Sequence, residues 1–205
     1  MRVWRIPFST NVERVALAAG HKGVPVEWVD VDPDDRSPVV ELSGQPLVPV
    51  LEDDDGTVLA DSSAILERLE RRFPQRPLFP PDPLGAEVRI FVDWFNRVWK
   101  VAPNAIEAEL GRDEPDEERI AELGASMRSA LELFEGLLAE GDFLLGGRLT
   151  AADCAAFPFL KYAALGLPPG DDELFHRILV ERQPLGLEHP RLVAWIQRVD
   201  ALPRA

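Results

Sequence analysis

A chain of 205 residues, 46% of them hydrophobic, can bury a sizeable core as one large domain or two small ones, so neither an unfolded chain nor a lone mini-domain is expected. Thirty-six acidic against 22 basic residues leave a formal net charge of −14, which disfavours binding to nucleic-acid phosphates or anionic lipid. The single cysteine, Cys154, and three dispersed histidines (His21, His176, His189) offer neither an internal disulfide nor a metal cluster.

The opening segment MRVWRIPFST lacks a signal-peptide apolar block, and no apolar run approaches the roughly 18 to 20 residues that span a bilayer. The expectation is a cytoplasmic protein without a membrane partner. Val3, Trp4 and Ile6 read as a strand. Val12, Val15, Ala16 and Ala19 then recur at helical spacing until Gly20 and Gly23 stop them, with Thr10 and Glu13 set as a Thr-x-x-Glu capping box. Val24–Val31 alternates as a second strand, so the three elements predict a parallel pair with a crossover helix. Ser37–Leu42 has room for one short helix. Leu47–Leu51 and Thr57–Ala60 flank Asp53-Asp54-Asp55-Gly56, a hairpin signal, and Asp61-Ser62-Ser63 caps a helix carried by Ile65, Leu66, Leu69 and Phe73.

Prolines at 74, 77, 80, 81 and 83 mark a stiff linker, giving a first domain over 1–75, a linker over 76–83 and a second domain over 84–205. From Leu84 onward the periodicity is helical throughout. Pro103 is expected to kink or end the first helix, and Thr150-Ala151-Ala152-Asp153 forms a capping box opening an apolar helix to Leu165. Cys154 lies on that apolar face and reads as packing. His176 and His189 read as surface or capping residues.

Three motifs, Pro7-Phe8-Ser9-Thr10-Asn11-Val12-Glu13-Arg14, Val48-Pro49-Val50-Leu51 and Asp61-Ser62-Ser63-Ala64-Ile65, occur in the order and spacing of a cytosolic glutathione transferase, which the chain resembles over nearly its whole length. The resemblance implies an α/β plus all-α fold: a thioredoxin-like domain followed by an all-helical domain. It implies a serine-type site in which Ser9, with Thr10 and Asn11 as alternates, donates a hydrogen bond to the thiolate of glutathione or a related thiol. A free cysteine thiol, with a pKa near 8.5, is mostly protonated at neutral pH, so the anion has to be stabilised by a donor and by the positive end of a helix. On local pattern alone the same segment reads as a helix cap.

The resemblance also implies that Val48, before a cis-Pro49, pairs with the main chain of a tripeptide, that Ser62 holds its γ-glutamyl carboxylate and that Asp61 attracts its ammonium. Val48-Pro49 reads alone as a proline at a strand start, and Asp61 and Ser62 as N-cap residues. Where many members carry a Lys, Arg or Gln for the glycine carboxylate, this chain has Pro46 and Leu47; Gln45 and Arg36 are substitutes, and the anchor stays unassigned. The electrophile pocket is expected from Phe8, Trp94, Arg97, Lys161 and Tyr162, with a small hydrophobic electrophile as second substrate. No permanently bound cofactor, no metal and a homodimer are expected. A non-catalytic ligand-binding or interaction module of the same fold is the alternative reading.

Overall fold

Residues 1–205 are described by a computed structural model, in which Met1–Pro81 together with Leu202–Ala205 form one unit and Asp82–Ala201 a second. The first unit runs β1 (Arg2–Arg5), α1 (Thr10–Lys22), β2 (Glu27–Asp30), α2 (Ser37–Ser43), β3 (Val50–Glu52), β4 (Val58–Leu59) and α3 (Ser62–Arg72). The sheet order is β2-β1-β3-β4, with β1 parallel to β2 and antiparallel to β3. The parallel pair and the hairpin are those expected from the strand–helix–strand and Asp-Gly patterns, and the whole sheet is the thioredoxin-like one that the resemblance implied. Because strand side chains alternate between faces, Val3 and Trp4 point to opposite sides of β1. Val3 is fully buried; on the other side Trp4 joins Ile6, Leu42, Val48 and Ala60 around Val31, Val39 and Val50.

The hairpin turn is tied to α3 by charge. Asp53, almost fully buried, accepts from the Arg68 Nε at 2.7 Å and from Arg72, while the exposed Asp55 accepts from Arg68 and from the Thr57 backbone N–H at 3.0 Å. Hydrogen bonding from Thr57, then from Arg68, holds the Asp55 carboxyl down at about 2. A depressed carboxylate contributes stability above its unfolded pKa and loses it as the pH falls towards the folded value. A carbon-detected NMR titration should therefore place the Asp55 midpoint near 2, with Asp55-dependent stability falling between roughly pH 4 and 2; a midpoint at the ordinary aspartate value would refute this.

The proline-rich segment differs from its reading as a bare spacer. Leu78, Phe79 and Pro80 are buried, and the Lys22 ammonium pairs with Glu70 at 2.7 Å while donating to the carbonyls of Phe73, Gln75 and Arg76. Residues up to Pro81 therefore belong to the first unit, as do the last four, which lie 120 residues further along the chain.

The second unit contains α4 (Leu84–Trp94), a π-helical turn (Phe95–Trp99), α5 (Val101–Leu110), α6 (Glu117–Leu137), α7 (Ala151–Leu160), α8 (Tyr162–Leu165), α9 (Leu174–Arg182) and α10 (Pro190–Asp200). The first helix breaks at the π-turn, where Lys100 N–H donates to the Phe95 carbonyl at 3.0 Å, and not at Pro103. Pro103 sits in the first turn of α5, where a missing N–H costs little. Every residue of α7 is buried, and its capping box is formed as expected. The helix read as continuous to Leu165 divides at Lys161 into α7 and α8.

His176 and His189, read as surface or capping residues, are both buried, and His189 does stand at the N-cap position of α10. His176 Nδ1 lies 2.8 Å from Asp171, an acid partner that no motif spacing announced, and His189 Nδ1 accepts from the Gly186 N–H at 3.3 Å at the start of α10. Cys154 is fully buried, in line with a packing role. No helix is long and apolar enough to cross a membrane.

Candidate functional site

Pro7 and Phe8 end β1 and turn the chain into α1. Phe8 adopts φ 65, a left-handed conformation uncommon for a residue with a side chain, and is half-exposed. This turn makes Ser9, and not Thr10, the N-cap: the Ser9 Oγ accepts from Val12 N–H, while Thr10 is already helical and buried. The Thr10–Glu13 capping box read from the sequence is therefore corrected to a Ser9 cap.

That cap bond is long, at 3.4 Å, and the Ser9 hydroxyl only accepts in it, so its O–H has no acceptor within the protein. Ser62, the first residue of α3, repeats the arrangement: its Oγ accepts from the Arg14 Nη1 at 3.4 Å, in a buried contact linking α1 to α3. Two serine hydroxyls at two helix starts thus each accept from the protein and keep a proton to donate. Anions are the natural acceptors there, because helix N-termini carry partial positive charge.

Asp61 is the N-cap of α3 and accepts from Ala64 N–H at 2.9 Å. The Val48-Pro49 bond is cis, as the resemblance implied. The β1–β3 ladder begins at Val50, so the peptide groups of Val48 lie outside the sheet pairing. Both residues offered as substitutes for the missing carboxylate anchor already make bonds within the protein, although Arg36 keeps further N–H donors. Gln45 donates to Leu47 O at 2.9 Å and accepts from Leu47 N–H at 2.7 Å, while Arg36 donates to Pro33 O and Pro46 O. Leu47 itself is 63% exposed.

Ser9 lines a hollow of about 240 Å³ with Ile6, Phe8, Val12, Glu13 and the tail residue Arg204. The tail was not among the residues singled out from sequence. The signal available for it was Gly20, a glycine inside a helix, where an added Cβ would collide with the Pro203 carbonyl.

In the second unit, Trp94 is half-buried against Phe91 and Phe134, with ring centroids 5.7 and 6.0 Å away. Arg97 is exposed and pairs with Asp93 at 2.6 Å. The Lys161 ammonium lies 5.1 Å from the Tyr162 ring centroid. Tyr162 is buried, its hydroxyl donates to Asp171 at 3.3 Å, and its ring stacks on His176 with centroids 4.7 Å apart. Tertiary packing takes the polar end that suggested a substrate contact.

Two family models match the chain, one described as the glutathione S-transferase N-terminal domain over residues 4–77 and one as the C-terminal domain over residues 117–198. The chain belongs to the glutathione S-transferase family.

Among curated relatives, mouse glutathione S-transferase omega-1 is 24% identical over 168 residues, covering 78% of this chain and 66% of the relative. Maleylacetoacetate isomerase of Pseudomonas aeruginosa is 37% identical over 90 residues, 41% of this chain and 42% of the relative. The chain thus matches less than two thirds of the length of either. A solved glutathione S-transferase from Rhodospirillum rubrum F11 aligns over 98% of this chain and 88% of its own, with a TM-score of 0.75 and 27% identity.

Proposed function

We propose that this glutathione S-transferase family member is a glutathione-dependent transferase or isomerase in which Ser9 stabilises the thiolate of glutathione, or a closely related thiol, for addition to a small apolar electrophile. The observation that carries the reading is the Ser9 hydroxyl, which is held by one long bond from Val12 N–H, faces the hollow and keeps its proton for an acceptor. A hydrogen bond donated to an anion is shorter and about twice as strong as a neutral one, so the hydroxyl favours thiolate over thiol.

The peptide groups of Val48 would pair with the cysteinyl portion of the thiol, the Ser62 hydroxyl would donate to the γ-glutamyl carboxylate, and Asp61 would face its ammonium. In conjugation the thiolate sulfur forms a bond to the electrophilic carbon, and a halide leaves or a proton is taken up. In isomerisation, the reaction named for the Pseudomonas relative, the same sulfur would add to a conjugated double bond and leave after rotation. Phe8, Trp94, Arg97 and Lys161 are retained as candidate contacts for the electrophile. We further propose a cytoplasmic homodimer.

The test is an ultraviolet titration of the protein–glutathione complex, reading thiolate absorbance against pH. The bound thiol should titrate below its free value near 8.5. An unshifted titration, or no binding at millimolar glutathione by calorimetry, would overturn the assignment.

A further inference from the structure

The thiol proposed for this site has two ends, and the structure treats them differently. Val48 offers an N–H and a carbonyl from one residue, outside the sheet pairing, and the cis-linked Pro49 that follows has no N–H. One residue exchanging both bonds with one partner is the hydrogen-bonded pair of an antiparallel ladder. A cysteinyl residue paired in this way puts its γ-glutamyl side level with Pro49 and the residue after it level with Leu47. The γ-glutamyl side is the one assigned above to Ser62.

The Leu47 side is closed to a carboxylate. The Gln45 amide donates to the Leu47 carbonyl at 2.9 Å and to the Ser43 Oγ at 3.0 Å, and its oxygen accepts from the Leu47 N–H at 2.7 Å. The Gln45 side chain and the Leu47 main chain thus satisfy each other, and Pro46 between them brings no N–H. The Leu47 side chain is apolar and 63% exposed. Arg36 is the only base from Val31 to Val48, among Asp32, Asp34, Asp35 and Glu41, and it donates to the Pro33 carbonyl at 3.2 Å and the Pro46 carbonyl at 3.4 Å. Its remaining N–H groups stand in a segment with a surplus of acids, which disfavours a further anion.

We infer that the site reads the γ-glutamyl and cysteinyl parts of its thiol and leaves the C-terminal carboxylate unread. Its co-substrates are then γ-glutamyl-cysteinyl thiols with a variable end, including those that finish in a neutral ester or amide or lack the third residue. The inference rests on the reading of Ser9, Val48 and Ser62 as the thiol site and names the class of thiol which that site takes.

The experiment measures dissociation constants by calorimetry for four S-methyl derivatives, so that differences in thiol acidity do not enter: S-methylglutathione, its glycyl ethyl ester, S-methyl-γ-glutamylcysteine and S-methylcysteinylglycine. One hydrogen bond to a charged group is worth roughly ten- to 150-fold in affinity, so the ester and the γ-glutamylcysteine derivative should stay within about threefold of S-methylglutathione, while the derivative lacking the γ-glutamyl group should weaken at least about tenfold. Leu47→Lys places a cation on an exposed position level with the C-terminal end. It should tighten S-methylglutathione about two- to fivefold and leave the ester unchanged. Arg36→Ala should leave the ratio of the two as it is.

A preference for S-methylglutathione over its ester beyond about threefold in the intact chain would overturn the inference, and loss of that preference in Arg36→Ala would name Arg36 as the anchor. A ratio unmoved by Leu47→Lys would overturn it as well, because the C-terminal end would then lie elsewhere. Equal binding of S-methylcysteinylglycine and S-methylglutathione is a different failure: it removes the Ser62 assignment and, with it, the direction of the pairing. If neither glutathione nor any derivative binds, the reading of Ser9 as the thiol contact falls first.

Discussion

Ser9→Ala should lower kcat/KM for glutathione conjugation to an aryl halide by roughly ten- to 150-fold, the loss expected when one hydrogen bond to a charged group, about 1.5 to 3 kcal/mol, is removed. The same loss should appear as a rise of about one to two units in the pKa of the bound thiol, since each unit corresponds to about 1.4 kcal/mol. Glutathione affinity at low pH, where the thiol is neutral, should barely change.

Ser9 is also the N-cap of α1, so alanine will cost about 1 kcal/mol of stability on its own account. Two further replacements separate the roles. Ser9→Thr keeps a hydroxyl and a cap and should retain most of the activity. Ser9→Asp keeps a good cap but sets a carboxylate against the sulfur, so the fold should hold while activity is lost. If the alanine variant conjugates as fast as the parent, or if aspartate retains activity, Ser9 does not contact the thiolate.

The largest stability loss is expected in the second unit, at Asp153. Its carboxylate is fully buried and accepts four bonds. Oδ1 takes the Leu144 N–H and the Trp195 indole N–H, both at 2.9 Å; Oδ2 takes the Thr150 N–H at 2.9 Å and the Thr150 hydroxyl at 3.3 Å. One side chain therefore joins the loop before α7, the cap of α7 and the middle of α10. Asp153→Ala orphans these donors at once and should cost about 3 to 5 kcal/mol, a large fraction of a typical domain's stability.

Asp153→Asn keeps the shape but not the pattern of acceptors. In one orientation its amide nitrogen faces the Leu144 and Trp195 donors, and in the other it faces the Thr150 N–H, so it should lose a substantial part of the same energy. Burial, outweighing these donors, pushes the Asp153 carboxyl above the ordinary aspartate range. A raised acid favours ionisation in the unfolded chain, so its contribution falls as the pH rises above the unfolded value, and the Asn variant should lack that slope. Urea midpoints measured across pH check both statements; a loss below about 1 kcal/mol for Asp153→Ala would show that this carboxylate does not organise the unit.

The first unit was legible where local chemistry decides local structure. An alternating Val24–Val31 beside a helical repeat gave the parallel pair, and the Asp-Gly step gave the hairpin. The strands came out shorter than the apolar runs that suggested them. β3 starts at Val50 because Pro49 has no N–H to donate to a ladder. The cap of α1 was misread by one residue, since the Thr-x-x-Glu pattern is local while the cap is set by the turn at Phe8, whose φ no pattern encodes.

In the second unit His176, read as a surface or capping residue, and Tyr162, read as a substrate contact, are both buried for one reason. Asp171 joins them in a buried cluster that exists only once α7, α8 and α9 have packed. The motif positions at Ser9, Val48-Pro49 and Asp61-Ser62 were visible because each depends on residues adjacent in sequence. The tail was not, because it depends on residues that meet Ala16, Gly20 and Trp28 from nearly the other end of the chain.

The return of Leu202–Ala205 to the first unit has a consequence for the order of events during synthesis. Domains usually fold as they emerge, the N-terminal one first. Here the sheet and its helices can assemble once Pro81 has left the ribosome, but Ala16 and Trp28 then wait for a partner, Ala205, that is translated only after the whole helical unit. The first unit to fold is thus completed only after the second has been made, and a nascent chain paused anywhere in the helical unit would carry a Ser9 hollow with one side open to water.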